Sequence, residues 1–511
     1  MKLRYKHSIN IVLLLSAVAV LSSCDKYLGE PPSKTSSLVV TTTDQLNALL
    51  NNTSTFYTEG NRTAIYSTDD YYMGTDLYNA GPGTFTIAGI EFAMWDINYL
   101  PDDTREIFWS NEYKKIFTAN LALEYADKVS GPDADKATIK ADAHFVRAYS
   151  YWELANTYCL PYTDANKNEA GLPIKNSVSF DEPVARQPLS KVYEQIESDL
   201  NEALRITLPL VQNGKPRHWR ASTAAVRGFA ARYWLSRNNY TLALKYADSA
   251  LTEYSTLVDY NTNMRYGRDV SLTINPGTPN AQTVTLKFPY THDNQTDLTD
   301  MIGWKEFLYF RMLTHESWWY IPSQALLNLY DQTHDLRYKY HMVQNYSYDR
   351  GLIKPAYSYP GYIFFFKDRI PSGPTVAEML LIKAECQART GDYNSAMNTL
   401  NILRAKRMTP GAWVDLTASS TDDGIKKVLE ERRREMPFSQ RWFDIRRFNN
   451  NDDPNDDVSL SRTFYPYNIS TVMTTQAPVE YSLPKNSRRF AAPLPRTEMI
   501  SSNGLIQQNS Y

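Results

Sequence analysis

The chain has 511 residues, with 54 basic against 56 acidic side chains and a formal net charge of −2. That balance leaves no basic footprint for a nucleic-acid partner, and three cysteines are too few for a disulfide framework. Glycine is scarce at 20 residues while tyrosine reaches 37, so a large core can form and side chains with an apolar face and a polar tip are abundant.

Lys2, Arg4 and Lys6 precede the apolar run "IVLLLSAVAVL" at 11–21. A membrane-spanning helix needs about 20 apolar residues, so this shorter run after a basic start predicts a signal peptide over 1–23 and export. Leu21-Ser22-Ser23-Cys24 resembles the lipobox of bacterial lipoproteins, which predicts cleavage before Cys24 and lipid on that residue. Several acyl chains at Cys24 would hold the protein stably on a membrane. The polar, proline-containing stretch at 24–40 then reads as a spacer, and 41–511 as a single folded body.

The first candidate ligand segment is "FAMWDINYLPDD" at 92–103, where Trp95, Asn98 and Tyr99 fall outside any helical stripe. Residues 111–129 with 135–158 predict one helical pair, and 189–206 a further helix. Residues 222–254 carry the strongest periodicity. Val226, Phe229, Ala230, Tyr233 and Trp234 make one buried face, and Tyr240, Ala243, Ala247 and Ala250 make a small-residue stripe after a turn at Asn238-Asn239. Residues 374–407 repeat that layout, with Ala377, Leu380, Leu381, Ala384 and Ala388 before a Gly391-Asp392-Tyr393 turn. Both copies match the tetratricopeptide pattern of about 34 residues.

Because the two copies are far apart in the chain, an uninterrupted solenoid is not expected. The expected class is mostly α: a tetratricopeptide-like helical-hairpin scaffold, or α-α superhelix, over about 105–255 and 320–450. A loop-rich insertion covers about 255–315 and an irregular tail about 450–511. The insertion supplies two further candidate binding aromatics, Tyr290 and Trp304. Trp109, Trp152, Trp234 and Trp442 sit in helical motifs and read as core. Trp318 and Trp319 precede a helix start capped by Ser323.

Five stretches together resemble the SusD/RagB family of outer-membrane lipoproteins. They are Cys24-Asp25-Lys26-Tyr27-Leu28, "HFVRAYSYWELANTYCLPY" with "GLPI", the two repeat units, and "VLEERRREMPFSQRWFDIRRFN" at 428–449; the ending "PLPRTEMISSNGLIQQNSY" also matches. The resemblance implies a receptor that captures an oligosaccharide, or in some members a peptide. It would deliver this nutrient to a SusC-like TonB-dependent transporter, from a lipid-anchored position on the outer membrane facing the cell exterior. Phe438-Ser439-Gln440-Arg441-Trp442 is one residue shorter than the family's usual motif, so the turn there must differ.

Within 428–449, Glu431 and Glu435 lie among Arg432, Arg433, Arg441, Arg446 and Arg447, which reads as a self-neutralising network. Glu430 and Arg434 stand at i, i+4, and Pro437 ends the first helix. The histidines form no His-Glu-x-x-His, and no Gly-x-Ser-x-Gly elbow or phosphate loop occurs, so neither a metal, a cofactor nor a catalytic residue is expected. The acidic "NDDPNDD" reads as a solvated turn rather than a calcium loop. The competing class is a surface enzyme that degrades glycans, and a third is an assembly protein without a small ligand.

Overall fold

A computed structural model describes residues 40–96, 107–179, 181–274, 277–290, 301–316, 320–343, 360–365 and 368–511. The expected signal peptide, Cys24 and most of the spacer lie outside the described residues.

The scaffold helices are α1 Ile107–Tyr125, α2 Asp133–Tyr158, α3 Leu189–Ala203, α4 Thr223–Ser236, α5 Tyr240–Glu253, α6 Val376–Arg389, α7 Tyr393–Arg404, α8 Thr421–Glu435 and α9 Arg441–Phe448. The two repeat hairpins turn by the same device. Asn238 (φ 55°) and Gly391 (φ 93°) take left-handed backbone, and the next residue caps the following helix. Asn239 accepts from the Leu242 amide and Asp392 from the Ser395 amide.

Although distant in the chain, the two hairpins meet in space. Ala243, Ala247 and Ala250 on α5 share one buried cluster with Ala224 and Ala231 on α4 and with Val376, Met379, Ile382 and Cys386 on α6. Small side chains let three helices approach closely at that seam. The stack continues through Ala384, Ala388, Ala396 and Leu400 to Val428 on α8. The superhelix is therefore continuous in space while interrupted in sequence, and its second half begins at Val376 rather than near 320.

The chain between α5 and α6, joined by residues 57–94, builds a second, irregular lobe around an aromatic core. Its centre is a three-stranded sheet in which Thr58–Glu59 runs parallel to Met312–Thr314, and the latter antiparallel to Arg369–Pro371. Arg265–Ile274 and Gln282–Tyr290 form an antiparallel hairpin within the insertion. The tail is more regular than expected, since Leu460–Phe464 pairs antiparallel with Val479–Leu483. Its end is tied back to α2, with the Asn509 side-chain amide donating to the Tyr158 carbonyl at 3.0 Å.

Trp109, Trp152 and Trp442 are core residues, and Trp234 is half-buried. Trp318 and Trp319 lie outside the described residues, while Ser323 does cap Gln324–Leu327 by accepting from the Leu326 amide. Cys386 is inside α6 and Cys159 just past the end of α2; both are buried thiols without a disulfide.

Buried ion pairs stitch the layers together. Arg311 pairs with Glu59 and Glu112, and its guanidinium lies 4.6 Å above the Tyr149 ring. The Tyr149 hydroxyl accepts from Arg232, which forks onto Glu378 on α6 at 2.8 and 2.6 Å. Arg432, Asp444, Arg447, Glu385 and Arg389 continue the chain of pairs to Asp456. Burial raises the Glu385 carboxyl, but Arg447 and Arg389 outweigh it and hold it down to about 2.

The arginine-rich segment thus joins helices. Arg434 turns to Glu431 at i−3 rather than to Glu430, and Asp456 of the acidic turn is consumed by Arg389 rather than solvated. At the shortened motif Phe438 adopts φ 63° and buries its ring completely. That left-handed residue redirects the chain between α8 and α9.

Candidate functional site

Of the sequence-based candidates, Trp95 and Trp304 are buried in separate clusters of the core. Trp95 is the left-handed cap of helix Ile87–Met94, 5 % exposed, with its indole N–H on the Ser67 carbonyl at 2.9 Å and Arg462 packed 4.9 Å over its ring. Trp304, 1 % exposed, packs edge-on against Tyr260, Phe364 and Phe365. Both were expected to present a face to ligand, and burial corrects that: neither ring has an open face in the fold. Asn98 and Tyr99 lie outside the described residues. Tyr290 ends its strand, paired across the hairpin with Arg265.

The segment 67–80, which the sequence reading passed over, is held more firmly than an ordinary surface loop. Arg441 places Nε and Nη2 on Asp69 at 2.7 and 2.9 Å. Arg433 donates to Asp70 at 2.6 Å, and the Phe438 amide donates to the other Asp70 oxygen. From another side, Ser323 donates through its amide to the Asp70 carbonyl, and the Tyr72 amide donates to Ile321. Arg462 then donates to the carbonyls of Tyr66, Thr68, Tyr71 and Ala93. Burial works to raise the Asp69 carboxyl, but Arg441 and Arg433 reverse it and hold the group well below the usual carboxylate range.

On this clamped segment a row of polar and aromatic groups reaches solvent. The half-buried Tyr72 donates its hydroxyl to exposed Asp76 at 2.5 Å. Asn79 lies one turn further along the helix Thr75–Ala80 and donates to the hydroxyl of half-buried Tyr465 at 3.0 Å. Tyr465 comes from the tail hairpin. Its ring is steadied by Phe464 and Tyr78, and Tyr78 in turn by Phe85.

Two phenol rings with a carboxylate and an amide can stack on apolar ring faces and bond hydroxyl groups. The one signal available in the sequence was the density of Tyr, Asp and Asn in "YSTDDYYMGTDLYNA" at 66–80. Its partner Tyr465 carried none. Among the described residues no group of three His, Cys, Asp or Glu side chains is placed to hold a metal ion, and no helix is long and apolar enough to cross a membrane.

The body sets tetratricopeptide-like helices against an irregular lobe that presents aromatic and polar groups. Two family models match the chain. One, described as starch-binding and associating with the outer membrane, covers residues 26–235, and the SusD family model covers 376–511. The chain belongs to the SusD/RagB family.

SusD-like protein P2 of Formosa agariphila is 24 % identical over 450 residues, spanning 79 % of each chain. The fold is shared with a SusD superfamily protein of Bacteroides thetaiotaomicron, at TM-score 0.59 and 17 % identity over 92 % of this chain and 100 % of that one. A putative sugar binding protein of Bacteroides vulgatus aligns at TM-score 0.60 and 18 % identity, covering 93 % and 99 %. A laminarin-binding SusD-like protein aligns at 0.55 and 16 %, covering 92 % and 99 %.

Proposed function

We propose that this protein is a lipid-anchored outer-membrane receptor that captures an oligosaccharide on the surface formed by Tyr72, Asp76, Asn79 and Tyr465. It passes the ligand to a SusC-like TonB-dependent transporter on the cell exterior. The observation that carries the binding surface is the Asn79–Tyr465 contact, which unites a tightly clamped loop and the tail hairpin into one polar, aromatic face. Family membership and the laminarin-binding neighbour support a glycan as ligand.

Binding, rather than turnover, is favoured because Asp76 is engaged by the Tyr72 hydroxyl and Asp69 and Asp70 are held by arginines. A membrane-tethered receptor has no need of tight binding. A millimolar dissociation constant corresponds to about −4 kcal/mol, and docking on a transporter raises the local concentration of ligand. Calorimetric titration of the purified protein with a glycan panel tests the reading. Binding of at least one oligosaccharide, weakened by Tyr465→Ala, supports it; turnover of a glycan, or a peptide as the sole ligand, overturns it.

A further inference from the structure

A second cleft, of about 390 Å³, opens on the far side of α2, between the loop 169–186 and the last residues of the chain. Its charged lining consists of Arg186, Arg488 and Glu169. Glu169 is engaged by Arg488, whose Nη1 and Nη2 fork onto it at 3.2 and 2.8 Å. Arg186 is different. Its three oxygen partners are backbone carbonyls, those of Gly171, Ala170 and Gln507, and no carboxylate pairs with it among the described residues.

A guanidinium has five N–H donors in a planar fork that matches carboxylate and sulfate oxygens. Here the carbonyls hold Arg186 in place without neutralising it, so two guanidiniums face one side-chain carboxylate in the lining. Ser510 and Gln507 add hydrogen-bonding groups to the lining, and Leu505, 59 % exposed, adds an apolar wall. The volume falls within the range of small-molecule sites, and an apolar wall opposite polar groups suits the C–H face and hydroxyls of a sugar ring.

We infer that this cleft is a second saccharide site, selective for a sugar unit bearing a carboxylate or sulfate, with Arg186 as the anion-reading residue and Glu169 as a competing internal anion. The inference rests on the proposed function only in taking the ligand to be a saccharide. It predicts an opposite response to two substitutions. Arg186→Gln removes the unneutralised charge, whereas Glu169→Gln removes the competing anion while Arg488 stays hydrogen-bonded to Ser510.

The test is calorimetry on the full chain in detergent, with digalacturonate, galactose 6-sulfate and neutral galactobiose as probes. The expected result is binding of the two acidic probes, at least tenfold weaker in Arg186→Gln and several-fold tighter in Glu169→Gln, and weaker as salt rises. Should Arg186→Gln misfold, tightening in Glu169→Gln alone decides the matter, since a purely structural ion pair would not yield it. Equal binding of galactobiose at this cleft, or no tightening in Glu169→Gln, overturns the inference. Neutral glycans binding at Tyr465 with no acidic probe bound would refute this site and leave the proposed function standing; absence of all glycan binding would refute both.

Discussion

Arg441 forks onto Asp69 with two hydrogen bonds, at 2.7 and 2.9 Å, across 372 positions of sequence. The same carboxylate also faces Arg433, so one acid near the front of the chain neutralises two arginines of the 428–449 motif. Helix α9, the end of α8 and the candidate binding loop are thereby one mechanical unit.

Replacing Asp69 by alanine is expected to leave two largely buried guanidiniums short of a partner. Breaking such a pair from one side costs about 3 kcal/mol. Urea unfolding should show a lower midpoint, and glycan affinity should fall as well, because the loop carrying Tyr72 and Asp76 loses its clamp.

Tyr465→Ala and Asn79→Ala should behave differently. Asn79 is exposed, so Asn79→Ala should keep its unfolding midpoint, and Tyr465→Ala should lower it only modestly through the lost contacts with Phe464 and Tyr78, while ligand affinity drops about tenfold in each. An aromatic contact contributes on the order of 0.5–1.5 kcal/mol beyond its buried area, about the size of a tenfold change. Calorimetry alongside thermal unfolding separates the two effects.

Trp304→Ala should reverse that pattern. Removing a wholly buried indole costs about 3–5 kcal/mol through lost burial and the cavity left behind. A large fall in melting temperature with affinity retained, for the fraction that folds, is the expected outcome.

The Arg232–Glu378 pair joins α4 to α6 at their buried seam. Arg232→Met alone should destabilise by about 3 kcal/mol, since it leaves buried Glu378 with only the longer Arg432 contact, at 3.6 Å. Adding Glu378→Leu should recover part of that loss, and a double-mutant cycle in urea would measure the coupling.

His341 sits in a neutral tautomer, its Nδ1–H on the Ile363 carbonyl and its Nε2 accepting from the Tyr260 hydroxyl, both at 2.9 Å. Burial, the largest influence, pushes the imidazole down to about 4, and burial takes His315 to about 3. The unfolded chain binds protons at about 6.5, well before the fold does. The contribution to stability is therefore whole above pH 6.5 and is lost as pH falls toward 4, at about 1.4 kcal/mol per pH unit for each histidine. Urea midpoints measured from pH 7.5 to 4.5 should decline, and His341→Gln should flatten the decline.

Read alone, the sequence determined the helices, their turns and the pairing within each hairpin, as at Asn238-Asn239 and Gly391-Asp392. These follow from periodicity and capping over a few residues, which are local properties. The expected self-neutralising network of 428–449 holds only in part: Arg434–Glu431 and Arg432–Asp444 are internal, but Arg433, Arg441 and Glu435 find partners outside the segment. What only the tertiary structure decided was which partner each group met. The α5–α6 seam closes a superhelix across the insertion, Arg434 chose Glu431 over Glu430, and Arg433 and Arg441 turned to Asp69 and Asp70.

The aromatic residues show the same division. A tryptophan in a loop-like stretch serves a core or a binding face equally well until packing is known, and both Trp95 and Trp304 went inward. Tyr465 reached the candidate surface only because the tail hairpin folds back onto Asn79. Burial and exposure depend on contacts between segments hundreds of residues apart, and neither composition nor spacing records those contacts.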